Sequence, residues 1–259
     1  MRLQSMLKKP SNLLFRGLSL GLVLAIATTP LIAFAGFKPP KRGVPGRREG
    51  GGTRDRCLVA ASGSPRSPIA LVPDFKEAGK VGAGQTLSAH PRFFWYLPGT
   101  RTGTVEFTLY SGETEAPEAV LYQSRFQLAR AAGQPSKPGI YSLALPADAN
   151  VPSLEVGKVY RWSVEVLCPG VKPGSLKVEG GVERVAADAA LDKSLTNANP
   201  TQRTTLYSEN GLWFDAITTL ADQSCVEPEA TRKAWKTLMS DTNVNLSKVA
   251  DVPIMKNCQ

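Results

Sequence analysis

Between residues 57 and 185 apolar and polar side chains alternate with a period of two, and that alternation restricts this part of the chain to a sheet-built body. Tyr160, Trp162, Val164, Val166 and Cys168 fall on one face of an extended segment, with Arg161, Ser163, Glu165 and Leu167 on the other. Val105, Phe107 and Leu109 alternate with Glu106 and Thr108, and Leu176, Val178 and Val182 with Lys177, Glu179 and Glu183. Further strands are expected over 69–72, 92–97, 120–128 and 140–145. Roughly eight short strands bounded by turn residues, with no helical pattern between them, point to an antiparallel sandwich or barrel. Leu154, Gly157, Tyr160 and Trp162 look like the corner of immunoglobulin-like and fibronectin-type sandwiches, where a Tyr at the start of a strand bonds back to the backbone a few residues upstream; an up-and-down barrel would show similar alternation. Trp95 would then be the core aromatic of an earlier strand.

The period changes after residue 187. Asn199 and Pro200 read as N-cap and first residue of a short helix that Gly211 ends. Leu212, Trp213, Ala216, Ile217 and Leu220 recur at helical spacing, as do Ala230, Ala234, Trp235 and Leu238 after Pro228. The expected fold is therefore an antiparallel immunoglobulin-like β-sandwich over 57–187, followed over 188–259 by two or three α-helices packed on or beside it.

Ahead of this body lie two segments of different character. Lys8, Lys9 and Arg16 precede an uncharged apolar run over 18–34 that closes with Ala33-Phe34-Ala35 before Gly36. A basic, then apolar, then small-x-small pattern is a secretory signal, so residues 1–35 are expected to be removed on export to periplasm, outer surface or medium. An uncleaved anchor is the rival, since about 20 apolar residues can span a bilayer. The formal charge of +9 places +4 on residues 1–35 and +5 on residues 36–56, leaving the body neutral. Residues 36–56 combine those cations with Pro39-Pro40 and Gly50-Gly51-Gly52, the composition of a flexible linker. Its basic residues over 38–56, Arg47 and Arg48 among them, could also touch an anionic envelope surface. No stacking aromatics are interleaved with them, which argues against nucleic acid.

Four cysteines in an oxidising compartment favour disulfides. Three pairings exist; Cys57 with Cys168 and Cys225 with Cys258 are preferred because each falls within one proposed subdomain, while buried free thiols are the alternative. One histidine and no Cys-x-x-Cys leave no metal set, and no cofactor is expected. Residues 79–86 approximate the phosphate-binding loop but carry Gln85 where that motif needs Lys, so nucleotide binding is not expected and a flexible hairpin or loop is. His90, before Pro91, reads as a turn histidine, and no catalytic residue is assigned. Glu106, Glu165, Glu179 and Glu183 lie on polar strand faces; two carboxyl groups about 5 to 9 Å apart would suffice for a glycan hydrolase. Phe93, Phe94, Trp95 and Tyr96 are consecutive, so a strand sends two to each face: one pair to the core, the other under the helices or onto an exposed binding platform.

Four stretches carry a resemblance: residues 46–54 (Gly-Arg-Arg-Glu-Gly-Gly-Gly-Thr-Arg) before Cys57, Phe93 to Pro98, Leu154 to Trp162, and Gly211 to Ala216. On these the chain resembles an uncharacterised cyanobacterial family, domain of unknown function 928. The resemblance implies an envelope or secreted protein and supplies no active-site residues. The expected function is a non-catalytic, envelope-associated interaction module for a protein or polysaccharide partner, with Phe93, Phe94, Trp95, Tyr96, Arg47 and Arg48 as candidate contacts. A carboxylate hydrolase of envelope glycan and a purely structural accessory of a secreted assembly are the alternatives.

Overall fold

The computed structural model describes residues 36–51, 57–113, 116, 119–148 and 151–255. Among the described residues eleven strands precede four α-helices: β1 (Gly43–Pro45), β2 (Leu58–Val59), β3 (Ile69–Ala70), β4 (Lys80–Thr86), β5 (Arg92–Leu97), β6 (Gly99–Thr100), β7 (Thr104–Ser111), β8 (Val120–Gln127), β9 (Gly139–Ala144), β10 (Val159–Val166), β11 (Lys177–Arg184), then α1 (Ala189–Thr196), α2 (Pro200–Glu209), α3 (Trp213–Gln223) and α4 (Pro228–Met239). A six-stranded sheet has the order β1-β4-β11-β10-β7-β8, a three-stranded sheet the order β3-β5-β9, and β2 pairs with β6. All pairs are antiparallel except β4 with β11, so the larger sheet is mixed rather than purely antiparallel. The parallel pair arises because β4 leaves the sheet at Thr86 and crosses to begin β5 in the other sheet. Residues 79–86, expected as a loop, therefore include a sheet strand.

Side chains from both sheets meet in one aromatic core. Phe93 of β5 lies 5.1 Å from Phe107 of β7 and 5.4 Å from Trp162 of β10, and Trp95 stacks on Phe107 at 6.2 Å. Trp162 stands opposite Gly180 in the register of β10 and β11, and its ring lies across that glycine. The Tyr160 hydroxyl accepts the Glu155 N–H at 2.9 Å, the upstream backbone bond expected for this residue. Cys57 and Cys168 form a disulfide across 111 residues, tying the entry of β2 to the exit of β10. Such a link typically contributes about 2 to 4 kcal/mol. Cys225 is also disulfide-bonded, and its expected partner, Cys258, lies outside the described residues.

The helices begin where local chemistry starts them. Asn199 caps α2 with a reciprocal bond to Gln202, Pro200 occupies the first turn, and Gly211 follows with φ of +75°, a conformation glycine adopts without strain. α3 is buried through Trp213, Phe214, Ala216, Ile217 and Leu220. Trp213 donates its indole N–H to the Leu71 carbonyl at 2.8 Å, and Phe214 reaches Phe93 at 5.5 Å. The additional helix is α1, capped by Asp188 and burying no residue. Strands and helices fall in one compact unit.

Residues 36–51 are not a flexible linker. Phe37 is buried edge-on against Trp213 at 5.3 Å, and β1 pairs with β4. The chain then runs between the two sheets. The Arg47 carbonyl accepts from Glu179 N–H of β11, and the Arg48 carbonyl from Ala70 N–H of β3. Gly50 N–H donates to Pro68 O, and Gly51 N–H to Ser175 O. This segment joins the sheets along one side. Residues 52–56 lie outside the described residues.

Candidate functional site

The aromatic run forms no platform. Phe93, Phe94, Trp95 and Tyr96 are each 0% exposed, because both faces of β5 are covered. Phe93 and Trp95 fill the inter-sheet core, and the Tyr96 hydroxyl donates to Pro65 O at 2.8 Å while burial pushes that phenol up to about 12. Nor is Arg48 available to a partner. Its guanidinium donates to Val72 O at 3.3 Å, Val244 O at 2.8 Å and Asn245 O at 2.9 Å, clamping the N-terminal arm to the segment after α4. Arg47 remains exposed, with its Nε on Lys177 O at 3.2 Å. Of the other arm cations, Arg42 stands 3.6 Å from Glu183.

The four strand carboxylates form a lattice on the polar face of the larger sheet. Glu106 and Glu165 are directly opposite in the β7–β10 register. Arg125 holds Glu106 at 2.5 Å, and Glu165 accepts the Gly174 N–H at 2.5 Å. Glu179, 5% exposed, meets Arg161 at 2.7 Å, Lys177 at 3.3 Å and the Arg47 N–H at 2.8 Å. Glu183 accepts from Gln85 at 3.0 Å. Four residues along one strand separate Glu179 from Glu183 by roughly 13 Å, beyond the span of a paired-carboxylate device. His90 lies between β4 and β5 with Nε2 3.4 Å from Ser153 Oγ. Among the described residues no group of three or more His, Cys, Asp or Glu could hold a metal.

On the side away from the arm the two sheets stay apart. β8 is the edge of one sheet and β9 the edge of the other. Between them opens a cleft of about 650 Å³ lined by Phe126, Leu128, Tyr141 and Ser142, with Arg92 and Asp222 paired at 2.7 Å at its wall. Phe126 and Tyr141 project inward yet remain partly exposed, and the end of α3 with Ile254 and Met255 lines the rest of the cleft. Phe126 rests 6.1 Å from Trp95, and the Tyr141 hydroxyl donates to Lys137 O. β8 is eight residues long and among the described residues pairs with β7 alone, so its outer edge offers backbone donors and acceptors. β9 already receives added backbone at this side: Ile140 N–H donates to Pro253 O at 2.9 Å and Met255 N–H to Ile140 O at 2.7 Å. Sequence reasoning missed the cleft. Its one signal was the run Gln123, Arg125, Gln127, polar residues alternating with Tyr122 and Phe126 as on a solvent-facing strand.

Asp215 lies in the first turn of α3. It accepts the Leu87 N–H at 3.1 Å. Burial pushes its carboxyl up to about 6, against the opposing pull of the Leu87 and Thr86 hydrogen bonds. This ties α3 to the turn after β4, a structural role. Between pH 3.8 and about 6 the folded state holds a proton that the unfolded state has lost, so stability falls as pH rises through that window. The full effect is at most about 3 kcal/mol, because about two pK units separate the states. Urea titrations from pH 3.5 to 7 should show that decline in the wild type and a flatter profile in Asp215→Asn. Parallel profiles would refute the assignment.

Residues 49–254 match the model of a family described as Domain of Unknown Function (DUF928). No curated protein and no solved structure matches the chain.

Proposed function

The chain belongs to the DUF928 family, and from that premise we propose that it is an exported, non-catalytic interaction module of the cell envelope that binds an extended segment of a protein partner along β8. The observation carrying this reading is the β8 edge, unpaired among the described residues, beside an open, aromatic-lined cleft. Strand addition supplies affinity through main-chain hydrogen bonds and specificity through pockets for alternate side chains, and this cleft offers both. The leader over 1–35 and the Cys57–Cys168 disulfide support an oxidising location outside the cytoplasm. Among the described residues no helix is long and apolar enough to cross a membrane.

The immunoglobulin-like reading of the body is part of the same proposal. The neighbours β8, β7, β10 and β11 follow the C′, C, F and G order of variable-type sandwiches, and β5 beside β9 follows B beside E. Tyr160 occupies the tyrosine-corner position at the start of the F-like strand. The departure is the disulfide, which does not join the B-like and F-like strands in their middles.

A photo-crosslinking side chain at Gln127, with the full chain exported in its own cells, tests the reading. The expected product is one protein adduct, reduced about tenfold by Tyr141→Ala, the effect of losing one interface hot spot. A polysaccharide adduct, or no adduct above a control on α4, would refute strand addition. Degradation of purified envelope glycan that disappears in Glu165→Gln would replace it with the hydrolase.

A further inference from the structure

We infer that cleavage between Ala35 and Gly36 creates a structural ion pair: the new Gly36 ammonium docks on Asp241, fastening the arm to the segment after α4. This inference is independent of what β8 binds. Asp241 is already organised around this end of the arm. Its Oδ2 accepts the Phe37 N–H at 2.8 Å, and its Oδ1 accepts the Asn243 N–H at 2.7 Å. Asn243 in turn donates Nδ2 to the Phe37 carbonyl at 2.8 Å. Phe37 itself is fixed by burial against Trp213 and, one residue on, Lys38 N–H donates to Ser208 O at 3.0 Å.

Gly36 therefore leaves a fixed anchor beside a carboxylate. A Cβ placed on Gly36 would stand 3.2 Å from Asp241 Oδ2. The amine nitrogen is bonded to the same carbon and sits within about 2.5 Å of that position. While the Ala35–Gly36 peptide bond is intact this nitrogen is a neutral amide with one N–H. Hydrolysis by a leader peptidase breaks the C–N bond, puts the water hydroxyl on the Ala35 carbonyl carbon and leaves an amine on Gly36. That amine takes up a proton, giving three donors and a positive charge beside Oδ2. Among the described residues no Lys or Arg forms an ion pair with Asp241, so the ammonium has no rival there. Gly36 is exposed, which leaves the product amine free to turn onto the carboxylate.

Two measurements test this. N-terminal sequencing of the full chain after export should read Gly-Phe-Lys-Pro; a different start overturns the inference. The melting temperature of the chain beginning at Gly36 should then drop by about 2 to 4 °C when its α-amine is acetylated, the shift typical of one modest interaction in a chain of this size. The same drop is expected when Ala35 is retained, which moves the ammonium one residue outward. Acetylation should have no effect in Asp241→Asn. Equal melting of the free and acetylated forms, or of the Gly36 and Ala35 starts, overturns the ion pair. So does an acetylation effect that survives in Asp241→Asn, and the Ala35 comparison stands even if that variant fails to fold.

Discussion

A variant lacking residues 36–51 is expected to show no cooperative thermal transition. The deleted arm contributes β1 at the edge of the larger sheet, the hydrogen bonds linking β11 to β3, and the buried side chains of Phe37 and Val44. Its loss would leave Trp213 without its edge-on partner and the Val72, Val244 and Asn245 carbonyls without the Arg48 guanidinium. Each newly exposed or orphaned group costs on the order of 1 to 3 kcal/mol. A domain has only about 5 to 15 kcal/mol to lose. Phe37→Ala alone removes about 3 to 5 kcal/mol by the usual cost of emptying a buried aromatic site. Circular dichroism on heating the deletion variant and Phe37→Ala separates a structural arm from a spacer. Melting of the deletion variant at the parent temperature would restore the spacer.

The arm also shows where sequence patterns stop being informative. Its Pro39-Pro40, its glycines and its arginines are the composition of a solvated linker. Beside Phe37, Val44 and the Arg48 side chain, backbone hydrogen bonds hold it, and those leave no mark in side-chain identity. β7, β10 and β11 were legible because each carries a buried face against a polar one, and the period of two records that difference. α2 was legible from its ends alone, Asn199-Pro200 and Gly211. α1 was not, since a helix that buries nothing has no apolar stripe to read. β4 was hidden by Gly82 and Gly84, which resemble turn residues but are small because the Pro73 carbonyl and Trp213 approach them closely.

The candidate site was less legible than the fold. The eye-catching residues, Phe93 to Tyr96, are hydrophobic enough to be needed inside, and a strand covered on both faces takes all four. The cleft depends on β8 and β9 being edges, a property of strand order and not of either strand's own residues. Phe126 and Tyr141 lie 15 positions apart in the chain and meet only because their strands border the same opening.

Strand order also decides the second large effect, the coupling between Trp162 and Gly180. A Cβ on Gly180 would stand 2.5 Å from Trp162 Cε2 and 2.6 Å from Cζ2, so the indole occupies the space a side chain would need. The indole N–H has no acceptor among the described residues, so the ring is positioned by shape. Trp162→Ala should cost about 3 to 5 kcal/mol, because it empties a site packed against Phe93 and Phe107. Gly180→Ala should cost about 1 to 3 kcal/mol by overpacking, although alanine otherwise favours the extended chain. In the double variant the new methyl enters space the ring has vacated. The combined loss should therefore fall below the sum of the singles by on the order of 1 to 2 kcal/mol, measured by urea denaturation of the four proteins. Additive losses would mean that the ring does not lie over Gly180 and that another feature excludes a side chain there. Backbone strain is not that feature, since Gly180 has no positive φ.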